Sequence, residues 1–127
     1  MLDDVKKEAT SYIDSFSDNL IKKLLGERVL EYIEAEKQAH DYYIAQYTGA
    51  IPSYVKQWAD IKLKTPQWSA DDILQKSINC KKILFNIRLQ RLSSKENIRK
   101  ATTIEQIEMI TSAFSVFETN LRSSLEG

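Results

Sequence analysis

The chain has 127 residues, 43% of them apolar and 28% charged, and no net charge at neutral pH. That balance excludes a disordered chain and suits one globular domain. Three glycines and two prolines are too few for a strand-and-turn fold, so helices joined by few breaks are expected. No apolar run approaches the roughly 20 residues of a membrane span. The acidic start Met1-Leu2-Asp3-Asp4 is unlike a secretory leader, which implies synthesis in the cytoplasm. A single cysteine, Cys80, has no partner for an internal disulfide and reads as a buried structural thiol.

The zero net charge is unevenly distributed. Residues 1–51 carry six Lys/Arg against ten Asp/Glu, residues 52–100 eleven against four, and residues 101–127 one against four. An acid–base–acid chain neutralises itself between neighbouring helices or against another copy, and it lacks the overall basic excess of a nucleic-acid binder.

In chain order, Val5, Ala9, Tyr12, Ile13, Phe16, Leu20 and Leu24 form the first helical stripe. Beyond Gly26 the apolar positions move roughly 150° round the axis. Either the helix stops at Gly26, with Lys22 and Lys23 favouring its last turn, or it continues and shows its halves to different partners. With no capping residue just after Gly26, one long or kinked N-terminal helix is expected. Tyr47 to Pro52 is a loop, with Gly49 ending one helix and Pro52 opening a short one that carries Val55, Trp58, Ala59 and Leu63 inward as far as Lys64. Thr65-Pro66 is a break. Ser69 with Asp72 reads as the cap of the next helix, from Ala70 to about Arg99. Its apolar arc spans about 240°, so this helix is expected at the centre of the fold, covered on two sides, either continuous or interrupted at Ser93-Ser94. Thr102 with Glu105 and Thr103 with Gln106 are capping boxes for a last helix whose stripe is Ile107, Ile110, Phe114, Phe117 and Leu121. The terminal Leu125-Glu126-Gly127 carries no argument.

Candidate sites follow from these faces. Lys76, Lys81, Lys82, Arg88, Arg91, Lys95, Arg99 and Lys100 face one acid, Glu96. Cations inside an apolar arc need partners, so a structural ion pair is expected at Arg88, the residue expected to be least exposed. The alternative assigns nucleic-acid contacts to Lys76, Lys82, Arg91, Lys95, Arg99 and Lys100. Glu36 and His40 sit one helical turn apart, but one histidine and one distant cysteine do not make a metal site. No nucleophile–base–orienter set or phosphate-cradling glycine loop exists in the sequence. No enzyme activity, metal or cofactor is expected. Tyr12, Phe16, Leu20 and Leu24, with residues 1–25 as an oligomerisation arm, are candidate interface residues. So is the stripe from Ile107 to Leu121, and Trp68 is a candidate anchor. The acidic stretch from Glu27 to Asp41, which includes Glu31 and Glu34, would suit an inhibitor- or immunity-type binder of a basic partner.

From Glu36 to Ile110 the order of short motifs resembles a helical module of small proteins from bacteriophage and prophage tail-fibre regions. The matching pieces are Ala35-Glu36-Lys37-Gln38-Ala39-His40-Asp41-Tyr42, Gly49-Ala50-Ile51-Pro52, Val55-Lys56-Gln57-Trp58-Ala59 and Ala70-Asp71-Asp72-Ile73-Leu74. Ile87-Arg88-Leu89-Gln90-Arg91 with Lys95 follows, then Ala101-Thr102-Thr103-Ile104-Glu105-Gln106-Ile107. Residues 1–34 have no counterpart, and Asn79-Cys80 stands where the module would carry an aromatic. The resemblance implies a virion or assembly role without catalytic residues. The combined expectation is one all-α domain, a small bundle of four to five helices with its helical core at residues 52–125. It acts as a structural or assembly protein, contacts a tail component or its own copies, and engages neither membrane nor nucleic acid.

Overall fold

A computed structural model describes residues 1–126; Gly127, part of the terminal triplet set aside above, lies outside the described residues. Those residues are all-helical, with no strand. The helices are α1 (Leu2–Leu25), α2 (Val29–Ile44), α3 (Ser53–Lys62), α4 (Pro66–Lys100) and α5 (Ile104–Glu126). None is long and apolar enough to cross a membrane. They group into two compact units: Met1–Gly26 with the chain from Ile83 onward, and Glu27–Lys82. The apolar side chains expected to share one core form two clusters, one in each unit.

In the first unit, the stripes of α1 and α5 cover each other. Ala9 and Ile13 meet Ile107 and Phe114, with Ile98 and Ala101 closing the cluster. The Tyr12 ring lies edge-on to Phe114 at 6.2 Å and tilted against Phe16 at 4.6 Å, while Phe117 packs 5.8 Å from Phe114. Two ion pairs cross between helices, Lys95–Asp14 at 3.1 Å and Lys23–Glu126 at 3.0 Å. The Lys6 ammonium donates to the Arg99 carbonyl at 2.7 Å, placing a cation on the unpaired carbonyls at the end of α4. Glu118 is buried on α5 beside Arg122, 3.4 Å away, and nothing in the apolar stripe announced it.

In the second unit, Ala39 and Tyr42 of α2, Val55 of α3 and Ala70 of α4 form the core. Gln38 accepts a hydrogen bond from the Tyr54 N–H at 2.7 Å, so α2 satisfies a free donor at the start of α3. Ser69 is buried and donates to the Val55 carbonyl at 2.8 Å.

Several expectations are corrected. The first helix ends at Leu25 instead of running on, because Gly26 takes φ +65° and its N–H closes on the Lys22 carbonyl at 2.8 Å. This is a conformation that glycine adopts without steric penalty, and α2 then starts without a side-chain cap. Residues 1–25 are no arm, since Ile13 and Leu20 are almost fully buried. The helix before the loop ends at Ile44, earlier than Gly49, with Gln46 and Tyr47 in left-handed geometry. α3 stops at Lys62, and Leu63 turns outward at φ +57°. Ser69 is not a cap. α4 starts at Pro66, where Thr65 Oγ accepts from the Trp68 N–H at 3.1 Å, an N-cap followed by proline at the first helical position. Ser93-Ser94 leaves α4 unbroken. At α5 the Thr103 hydroxyl accepts from the Gln106 N–H, and Gln106 reaches back to the Thr102 N–H. Gln106 therefore takes the reciprocal role, displaced by one residue.

Replacing Ile13 by alanine is expected to destabilise the first unit by about 2–5 kcal/mol through transfer and cavity terms. Ser69→Ala should cost the second unit about 0.5–1.5 kcal/mol by removing the second donor of the Val55 carbonyl, which keeps its helical one. Denaturant unfolding monitored by circular dichroism checks both, and an unchanged midpoint contradicts the assignment.

Candidate functional site

α4 carries the feature that sets this molecule apart. Ile87 and Ile98 are buried on one side of the helix, yet Ile78, Phe85, Leu89 and Leu92 are exposed, Phe85 at 73%. On a helix these four fall within roughly 60° of arc, a continuous apolar seam open to solvent. The expected two-sided cover is absent on this face. The reason is physical: sequence periodicity reports which side chains avoid water, not which ones the rest of the chain is able to reach.

Cations flank the seam. Arg88 lies about 60° to one side and Lys82 about 60° to the other, and both are exposed. Arg88 is corrected here: it is neither sheltered nor paired, and among the described residues no carboxylate lies within 4.0 Å of it. Neighbouring cations are occupied. Lys76 holds Asp72 at 2.9 Å, Lys95 holds Asp14, and Arg99 holds Glu96 at 2.5 Å with Lys100 at 3.9 Å. Lys81 pairs with Glu36 and Arg91 is half-buried. The basic segment is thus part braced and part open.

The residues proposed as interface anchors are mostly spent within the chain. Leu20, Ile107 and Phe114 are buried, and Tyr12, Phe16, Leu24, Ile110, Phe117 and Leu121 are half-buried; of these, Tyr12, Phe16, Ile110 and Phe117 pack on the first cluster. Trp68 is half-buried with the Lys64 ammonium 5.8 Å from its ring centre. Trp58 is built in more firmly. Its indole N–H donates to Asp72 at 2.8 Å, and the Lys76 ammonium sits 4.7 Å over its ring, a cation–π contact. Burial pushes the Asp72 carboxyl up, but Lys76 and Trp58 outweigh it and hold the group below its ordinary range.

Glu36 is drawn into structure. It accepts from Lys81 and Ser77, which hold its carboxyl below the ordinary range, while His40 is exposed. No group of three potential metal ligands occurs among the described residues. Cys80 is half-buried, and burial followed by the nearby Glu36 charge pushes its thiol up. It is therefore a poor nucleophile at neutral pH. The Tyr47 hydroxyl donates to Asp71 at 2.5 Å, and that bond raises its pKa to about 12.

A second exposed apolar line escaped the sequence reading. On α2, Leu30, Ile33 and Ile44 are exposed, again within roughly 60° of arc. Their spacing was visible, but Lys37 and His40 between them hid the stripe. Glu34 and Asp41 lie along one edge of this line, seven residues apart.

Two measurements test these placements. Arg88→Ala should leave the melting temperature within about 1 °C of the parent, since exposed unpaired charges contribute little; a marked drop would restore the structural role. Because the folded pKa of Tyr47 is raised, the Asp71 bond contributes stability below pH 10 that is lost as pH climbs towards about 12. Absorbance titration should show one phenol ionising near 12, returning towards 10 in Asp71→Asn. Comparison with known protein families, curated proteins and solved structures finds no match to this chain.

Proposed function

We propose that the protein works through protein–protein contacts, as a structural or assembly component rather than an enzyme, and that the open seam of α4 is its principal contact surface. Phe85 carries this reading. An aromatic side chain 73% exposed in the middle of a regular helix, in line with Ile78, Leu89 and Leu92, is the kind of apolar patch that marks an interaction site. Such anchors dominate binding energy once water is excluded around them. The likeness to phage tail-region modules supplies the setting, a component that joins or guides a larger assembly, in the virion or during its construction.

Nucleic-acid binding is the weaker reading. Lys82 and Arg88 are open, which favours it, but phosphate contacts come from a polar basic face. Here the open cations border an apolar seam, and Lys76, Lys95 and Arg99 hold carboxylates of the same chain.

A photo-cross-linking residue at position 85 discriminates the two. It is expected to yield an adduct with one defined polypeptide, identified by mass spectrometry. The same residue at position 97, exposed on α4 but about 120° round the helix, should give none. Adducts with nucleic acid at 85, or equal labelling at both positions, reject a protein-contact seam.

A further inference from the structure

We propose that the occupant of the α4 seam is the α2 line of a second copy of this chain. The inference rests on the protein-contact reading above and names its partner. Three observations lead to it.

The first is shape. Both faces are unpartnered helix seams of similar width. Phe85, Leu89 and Leu92 project from α4, and Leu30 and Ile33 from α2, the latter exposed by 78% and 59%. Each contains a pair of large aliphatic residues three positions apart, Leu89 with Leu92 and Leu30 with Ile33, which is the step from an a to a d position in a helical seam.

The second is charge. The α4 seam is bordered by the open cations Lys82 and Arg88, and the α2 line by the carboxylates Glu34 and Asp41. Two α4 seams pressed together would set Arg88 and Lys82 of each copy against like charges, which opposes association. The edge of the α2 line that carries Glu34 and Asp41 meets the Arg88 edge of that seam with opposite charge. The zero net charge of the chain, divided into acidic and basic stretches, puts both halves of the match on every molecule.

The third is register. Laid parallel with Leu30 beside Leu89 and Ile33 beside Leu92, the two helices set Glu34 five positions along from Arg88, the g-to-e relation of a parallel seam, and bring Lys37 level with Glu96. Both are unlike pairs, although Glu96 also holds Arg99 and Lys100 of its own chain. Nothing in the apolar match requires this agreement.

A contact of about three helical turns is small, at or below about 1,200 Å² of total buried surface. A concentration-dependent equilibrium is therefore expected. Because the contact joins unlike faces, two reciprocal contacts close a dimer and single ones extend a chain.

The test is a charge exchange read by light scattering. Between about 10 and 500 μM, the parent mass is expected to rise from 14.7 kDa to twice that value or more. Arg88→Glu alone and Glu34→Arg alone should each remain at 14.7 kDa, and circular dichroism should show unchanged helicity. An equimolar mixture should recover the parent mass, because each variant then offers the charge the other lacks; a merely misfolded variant would not recover. Leu89→Asp should stay monomeric alone. A parent that stays at 14.7 kDa throughout, variants that associate like the parent, or a mixture that fails to recover overturns the proposal. So does a monomeric parent that binds anionic phospholipid vesicles through the seam. A monomeric parent whose position 85 still cross-links to a different protein removes only the second copy and leaves the protein-contact reading in place.

Discussion

A helix of 35 residues has more surface than this chain can cover. The apolar arc of α4 is too wide for one neighbouring layer, and the chain reaches only part of it. Ile87 and Ile98 are removed from water, while Phe85, Leu89 and Leu92 are not. Burying a Leu or Phe side chain is worth about 1.5–3 kcal/mol. Leaving several exposed in a line therefore forgoes a sizeable share of the stability available to a small protein, typically about 5–15 kcal/mol. Selection retains such an arrangement most readily where something outside the folded chain recovers that energy.

The charges around the seam oppose contact between two such faces. Apolar patches aggregate when their surroundings are neutral, and flanking charge of one sign opposes contact between identical faces. Lys82 and Arg88 supply that repulsion because among the described residues they pair with no carboxylate, whereas Lys95 and Arg99 are tied to Asp14 and Glu96. Internal pairing thus sorts the basic segment into braces and free flanks. The braces lie mostly at the surface and are individually weak, so their role is to set where the remaining positive charge is available.

Much of the architecture was legible in the sequence where local rules act alone. The stripes of α1 and α5, the break at Thr65-Pro66, the loop before Pro52 and the Thr103–Gln106 cap all follow from periodicity, proline geometry and capping chemistry within a few residues. The misreadings share a different cause. Gly26 stops its helix through a positive φ that no following cap announced. Ser69 fits the capping pattern but is recruited by the Val55 carbonyl, a partner fourteen residues away. Arg88 lies within an apolar arc and was assigned a buried partner, although its side of the arc is the uncovered one. In each case the outcome depends on which surfaces meet in three dimensions, information that a single helical wheel does not hold.

The same limit applies to the site. The seam residues were visible as apolar positions, but their candidacy as a site rests on exposure, a property of the whole fold. The α2 line was harder to see, because Lys37 and His40 interrupt Leu30, Ile33 and Ile44. An interrupted line is a poor core face, since each buried charge would need compensation. As a contact face it is serviceable, because a charge at the margin of a partner helix finds an opposite one there and discriminates against partners that lack it. In the proposed contact, the residues that weaken α2 as an internal packing element are those that would make its exposed side selective, and the acid and base facing each other there would perform the recognition that apolar matching alone leaves undecided.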